Sequence, residues 1–171
     1  MKYSYFDTTV PVFIKMLQNL DHLLTKGSEF AIEKGISEET LLGDRLASDM
    51  FPLSKQIQIA TDNAKGCVAR LCGIEAPVME DTETTVAQLH ERIAKTIAFI
   101  ESITEAQFEG ATDRKILIKY FGGKHFTAYD YVTQYALPNF FFHTNVVYAL
   151  LRTMGVPIGK GDYLGQLNLK D

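Results

Sequence analysis

The chain has 171 residues, 46% apolar and 22% charged, with 21 acidic against 17 basic side chains and a net charge of −4. That length suits one domain, taken as residues 1–171, with enough chain to bury a substantial core. Lysine and arginine are scattered, with no basic stripe interleaved with aromatics, so a nucleic-acid surface is set aside. Apolar runs are too short or too interrupted to span a bilayer. The opening "MKYSYFDTTVPVFIKMLQNLDHLL" carries Asp7 and no small-residue cleavage site, unlike a signal peptide.

The first helical pattern follows "DTTVPVF", read as a threonine cap with Pro11 in the first turn, where a missing N–H costs nothing. Phe13, Leu17, Leu20 and Leu24 then recur at helical spacing and predict one buried stripe over residues 9–25. Gly27 is expected to interrupt this helix, and "SEFAIEKG" to add a short capped turn ending at Gly35.

A second helix is predicted over 52–72, again with a proline, Pro52, in its first turn. Leu53, Ile57, Ala60, Ala64, Cys67 and Leu71 make its apolar line, and Gly73 stops it. Gln56 and Asn63, one heptad apart, fall at the edge of that line, while Asp62 and Lys65 can pair across one turn. Cys67 and Cys72 have neither disulfide-framework nor zinc-knuckle spacing and read as two packed thiols in a reducing cytoplasm.

The third helix, over 85–103, opens on "TVAQ", a capping-box pattern from Thr85 to Gln88, and buries Val86, Leu89, Ile93, Ile97 and Ile100. The period then changes. "KILIKYFGGKHFTAY" alternates over Ile116, Ile118 and Tyr120, turns at Gly122-Gly123 and returns through Phe126, which predicts a β-hairpin. The last helix, over 127–154, starts at a Thr127/Asp130 cap and bends where Pro138 removes a hydrogen bond. Phe140, His143, Val147, Leu150 and Met154 share one face, and the turn-rich tail "GVPIGKGDYLG" folds back over the bundle end. The fold class is all-α: an up-and-down four-helix bundle with a short hairpin before the last helix.

Familiar catalytic signatures fail on inspection. "IGKG" lacks the glycine spacing and the strand context of a phosphate loop, and "HERIAK" has Lys95 where a zincin needs its second histidine. There is no Glu-x-x-His for a di-iron bundle, no G-x-S-x-G elbow, and no cysteine at a helix N-terminus. His22, His90 and His125 are read as surface or edge residues. His143 differs because it points inward among apolar neighbours. Burying it unpaired would cost about 1–3 kcal/mol, so a partner is required. Asn139, one turn away, and Gln56 or Asn63 from the second helix can each give or take that bond. These polar groups converging at one level of a bundle read as a ligand pocket.

The runs "DMFPLSKQIQIATDNAKGCVARLCG", "DTETTVAQLHERIAKT" and "ALPNFFFHTNVVYALLRTMGVPIGKGDYLG" resemble a bacterial and fungal domain-of-unknown-function family within the DinB/YfiT-like superfamily. The resemblance spans residues 45–165. It implies the DinB-like bundle, a homodimer, and a site that in metal-bearing members uses three histidines. Two of those lie four apart on the last helix, ahead of an Arg-x-x-Gly matched here by Arg152 and Gly155. The corresponding residues are Asn139 and His143, with Gln56 at the third position. Two amides with one imidazole make a poor zinc or nickel site. The expectation is a small-molecule-binding or accessory protein with a degenerate, metal-free site built from Gln56, Asn63, Asn139 and His143, and no cofactor. The alternative is a divergent hydrolase or transferase in which His143 is catalytic, as general base or as one ligand of a weakly bound divalent metal. The superfamily's thiol-dependent transferases and isomerases depend on the histidine-bound metal.

Overall fold

The computed structural model describes residues 4–170. Helix α1 spans Tyr5–Lys34 and starts four residues earlier than the threonine cap expected from the sequence. The cap is Ser4, in a reciprocal box with Asp7: Asp7 N donates to Ser4 Oγ at 3.1 Å and Ser4 N donates to the Asp7 carboxylate at 3.0 Å. Thr8 and Thr9 lie inside the helix and turn their hydroxyls back onto the carbonyls of Ser4 and Tyr5. Pro11 is therefore an interior residue rather than a first-turn one. The helix tolerates it because Phe13, Leu17, Leu20 and Leu24 are completely buried. At about 1.5–3 kcal/mol each, those four outweigh the roughly 3 kcal/mol of an interior proline.

Gly27 does not interrupt α1. A Cβ there would come within 2.6 Å of Leu151 Cδ2, so the glycine admits the last helix to close approach. The helix stops at Gly35, whose φ of +66° is left-handed, with Ile36 N donating to Ala31 O at 2.8 Å. "SEFAIEKG" is thus the last two turns of α1. A short helix α2, Glu38–Gly43, capped by Ser37, follows and was not foreseen.

Helix α3 covers Leu53–Cys72, with Pro52 as its capping residue rather than in its first turn. Helix α4 covers Val86–Glu101 and carries the Thr85/Gln88 box predicted for it. In the hairpin, β1 (Ile116–Leu117) pairs antiparallel with β2 (His125–Phe126), Ile116 opposite Phe126. Tyr120 belongs to a tight turn at Lys119–Phe121 and not to a strand, and Gly122 and Gly123, both left-handed, complete the reversal.

The last long helix occupies residues 128–153 in three pieces: α5 (Ala128–Asp130), a π-helical segment (Tyr131–Ala136) and α6 (Leu137–Thr153). The wide turn sits immediately before Pro138. A proline ring clashes with the carbonyl four residues back, and widening the preceding turn relieves that clash without breaking the helix. Helix α7 (Lys160–Leu164) folds back onto α1. Around the bundle α1 packs on α4, α4 on α3, α3 on α6 and α6 on α1. Among the described residues, no helix is long and apolar enough to cross a membrane.

Candidate functional site

Helix α3 presents Ile59, Asn63, Gly66 and Arg70 along one stripe, spaced four, three and four residues apart. Opposite it, the π segment supplies Tyr131 and Tyr135 and α6 supplies Asn139. The hairpin closes one side with Ile118 and Tyr120. Between them lies an open cavity of about 460 Å³, also walled by Phe51, Lys55, Asp62 and Asp81. Two larger clefts lie elsewhere. One, of about 580 Å³, runs along residues 77–83 and α4; the other, of about 790 Å³, lies between Tyr5, Phe108 and Leu137. Neither is lined by Gln56, Asn63, Asn139 or His143.

The four polar residues expected to form one cluster separate into two pairs. Gln56 and His143 are buried between α3 and α6 and bond each other, Gln56 Oε1 to His143 Nδ1, at 2.6 Å. Gln56 Nε2 donates to the Phe51 carbonyl at 2.9 Å, which orients the amide. An amide oxygen only accepts, so Nδ1 carries the proton and Nε2 the lone pair. Burial pushes the His143 pKa below its ordinary value, which keeps the ring neutral at pH 7. Asn63 and Asn139, by contrast, line the cavity, and neither bonds His143. Asn63 Oδ1 is buried without a hydrogen-bond partner among the described residues.

The cavity's charges are largely spoken for. Arg92, 1% exposed, reaches Asp62 at 2.7 Å, Asp81 at 3.0 Å and Glu83 at 2.9 Å. Lys65 pairs with Asp62 at 2.6 Å, the pairing expected from their spacing, and Lys55 bonds Asp81. Burial would raise the Asp81 pKa, but the Lys55 hydrogen bond and the charges of Arg92 and Lys55 outweigh it and hold the carboxyl below its usual range. This network ties the loop ahead of α4 to α3.

Arg70, Gly66, Tyr131 and Tyr135 escaped the sequence reading. Arg70 Nη1 donates to the Tyr131 hydroxyl at 3.1 Å, and the guanidinium folds back over Gly66 so closely that a Cβ there would lie 2.5 Å from Nη1. Tyr131 is buried and stacks on Tyr135 at 6.0 Å. Burial pushes both the Tyr131 phenol and the neighbouring Cys67 thiol up, away from ionisation. The available signal was spacing: Arg70 lies one heptad beyond Asn63, with a glycine between. The remaining histidines are peripheral. His22 reaches Asp162 at 3.2 Å, His90 reaches Asp21 at 2.5 Å, and His125 is exposed on β2.

These residues do not suit the transition metal of the three-histidine pattern. Gln56 spends its oxygen on His143 Nδ1, Asn139 faces elsewhere, and one imidazole lone pair remains. Among the described residues, no three His, Cys, Asp or Glu side chains gather as a metal-binding group.

No curated protein matches the chain. Among solved structures, the crystal structure of a DinB family member protein from Shewanella denitrificans is similar at a TM-score of 0.93 and 42% identity, covering 97% of this chain and 94% of that one. The fold is accordingly DinB-like. A family model described as a domain of unknown function, DUF1993, matches residues 5–164, and the chain belongs to that family.

Proposed function

We propose that the protein binds a small molecule in the cavity between α3, the hairpin and α6, as a binding or accessory protein whose site is degenerate and metal-free. The observation that carries this reading is Asn63, a residue on the wall of an open cavity whose Oδ1 is buried with no partner among the described residues. An unmet acceptor costs about 1–3 kcal/mol, which a ligand N–H or O–H would recover once the Asn63 side chain rotates its oxygen toward the cavity. The cavity's volume falls in the range of small-molecule sites. Free, buried thiols at Cys67 and Cys72 support placement in a reducing cytoplasm. The resemblance to the superfamily supports a homodimer, which light scattering tests directly.

A second reading, a hydrolase or transferase using His143, draws on the neutral ring and its free Nε2 lone pair. It is the weaker one, because His143 is not among the residues lining the cavity. Fragment screening by NMR separates the possibilities. Amide shifts gathering on Asn63, Tyr135 and Asn139 support the binding site; fragments collecting only beside Tyr5 and Phe108 overturn it. Elemental analysis of untagged protein should find no zinc or nickel. Stoichiometric metal that disappears in His143→Ala would overturn the metal-free reading and favour the enzyme.

A further inference from the structure

We infer that the cavity's ligand is a small carboxylate held by Arg70, with an apolar or aromatic body and an N–H or O–H donor directed at Asn63. This inference rests on the cavity being a ligand site and names the class of ligand.

The argument begins with charge. Lys55, Lys65 and Arg92 meet Asp62, Asp81 and Glu83 in a closed network of three cations and three carboxylates. Arg70 stands outside it. Among the described residues, no carboxylate lies within ion-pair distance of its guanidinium, which makes it the uncompensated charge on the cavity wall.

Arg70 is an exposed side chain, and the local geometry fixes where its guanidinium lies. A surface guanidinium normally extends into water. This one curls back along its own helix, over the bare backbone of Gly66, and is held there by a buried phenol. Only Nη1 is engaged, so the edge formed by Nε and Nη2 stays open. That planar pair of donors matches the two oxygens of a carboxylate. With Asp62 and Asp81 already matched by Lys55, Lys65 and Arg92, Arg70 leaves one positive charge to balance, which a monoanionic carboxylate does.

The rest of the cavity defines the rest of the ligand. Ile59, Ile118, Tyr120 and Tyr135 offer apolar and aromatic surface. Asn63 Oδ1 can only accept, so the ligand must supply the hydrogen.

Calorimetric titration with three matched pairs tests this: phenylacetate and phenylacetamide, indole-3-acetate and indole-3-acetamide, hippurate and its amide. The acids should bind about ten- to a hundredfold tighter than their amides, the range of a charge-assisted pair over a neutral one. Arg70→Gln should abolish that preference by weakening the acids to the level of their amides. Gly66→Ala should do the same by displacing the guanidinium, with an unchanged or higher Tm because alanine favours the helix. A merely structural Arg70 would not give that combination. Amides binding as tightly as acids, or an acid preference surviving Arg70→Gln, would overturn the carboxylate assignment and leave the cavity as a site for neutral ligands. No binding by any of the six at millimolar concentration would also overturn it, while fragment mapping onto Asn63 and Asn139 decides the cavity itself.

Discussion

The Gln56–His143 pair lends itself to a double-mutant cycle. Gln56→Leu keeps side-chain volume close to native but removes the acceptor of the His143 Nδ1–H, in a residue only 8% exposed. Phe51, which loses the Gln56 donor, is itself exposed, so water can replace that bond. The cost is therefore one orphaned buried donor, about 1–3 kcal/mol. His143→Leu leaves the Gln56 oxygen orphaned instead, at a similar cost of about 1–3 kcal/mol. In the double variant both polar groups are gone and leucines fill the space between α3 and α6. Replacing both partners with apolar groups of like size is nearly neutral. With each single costing about 1–3 kcal/mol and the double close to neutral, the cycle should show a coupling energy of about 2–6 kcal/mol, the double variant being more stable than the sum of the singles implies. Urea denaturation followed by circular dichroism measures all four corners, and equal m-values confirm that the same unfolding is compared. Additive effects, with the double variant as damaged as both singles together, would refute the pairing.

Acid should destabilise the protein through His143. Its folded pKa is depressed by burial, so the unfolded state binds the proton more readily. Stability is then fully present above the unfolded histidine value of about 6.5 and declines as pH falls from there through the folded value. Urea midpoints measured across this window should fall less steeply in His143→Leu than in wild type; identical slopes would refute the assignment. Arg92→Leu should cost about 3 kcal/mol, toward the low end for breaking a buried ion pair because two of its three carboxylate partners, Asp62 and Asp81, reach water. Hydrogen exchange should show residues 74–84 losing protection first, since Arg92 bonds Glu80 O, Asp81 and Glu83 in that loop. Unchanged protection there would show that the loop is held by other contacts.

Much of the fold is legible because its causes are local. Thr85 and Gln88 cap α4 through bonds spanning three residues, and Gly73 ends α3 through its own backbone freedom. The heptad-like lines of leucine and isoleucine follow from helical periodicity alone, and the Gly122-Gly123 reversal from left-handed φ values that glycine adopts at little cost. Gly27 shows where local causes end. A glycine within a helical pattern reads as a stop until Leu151, 124 positions on, is seen to occupy the space its missing Cβ leaves. Helical spacing placed Gln56, Asn63, Asn139 and His143 as polar residues at or near an apolar face, but which of them bond depends on how α6 is rotated against α3. The π turn also decides which residues share the cavity wall. Four residues of α-helix overshoot a full turn and four residues of π-helix fall short of it. The two errors offset, so Tyr131, Tyr135 and Asn139 stay in line facing Arg70. Sequence alone therefore determined the long helices, the Thr85 and Thr127 caps, the Gly73 stop and the apolar faces that bring the helices together. Tertiary packing decided that Gln56 answers His143, that Arg70 stands without a carboxylate, and that Asn63 is left open, because each of those depends on distances between elements far apart in the chain.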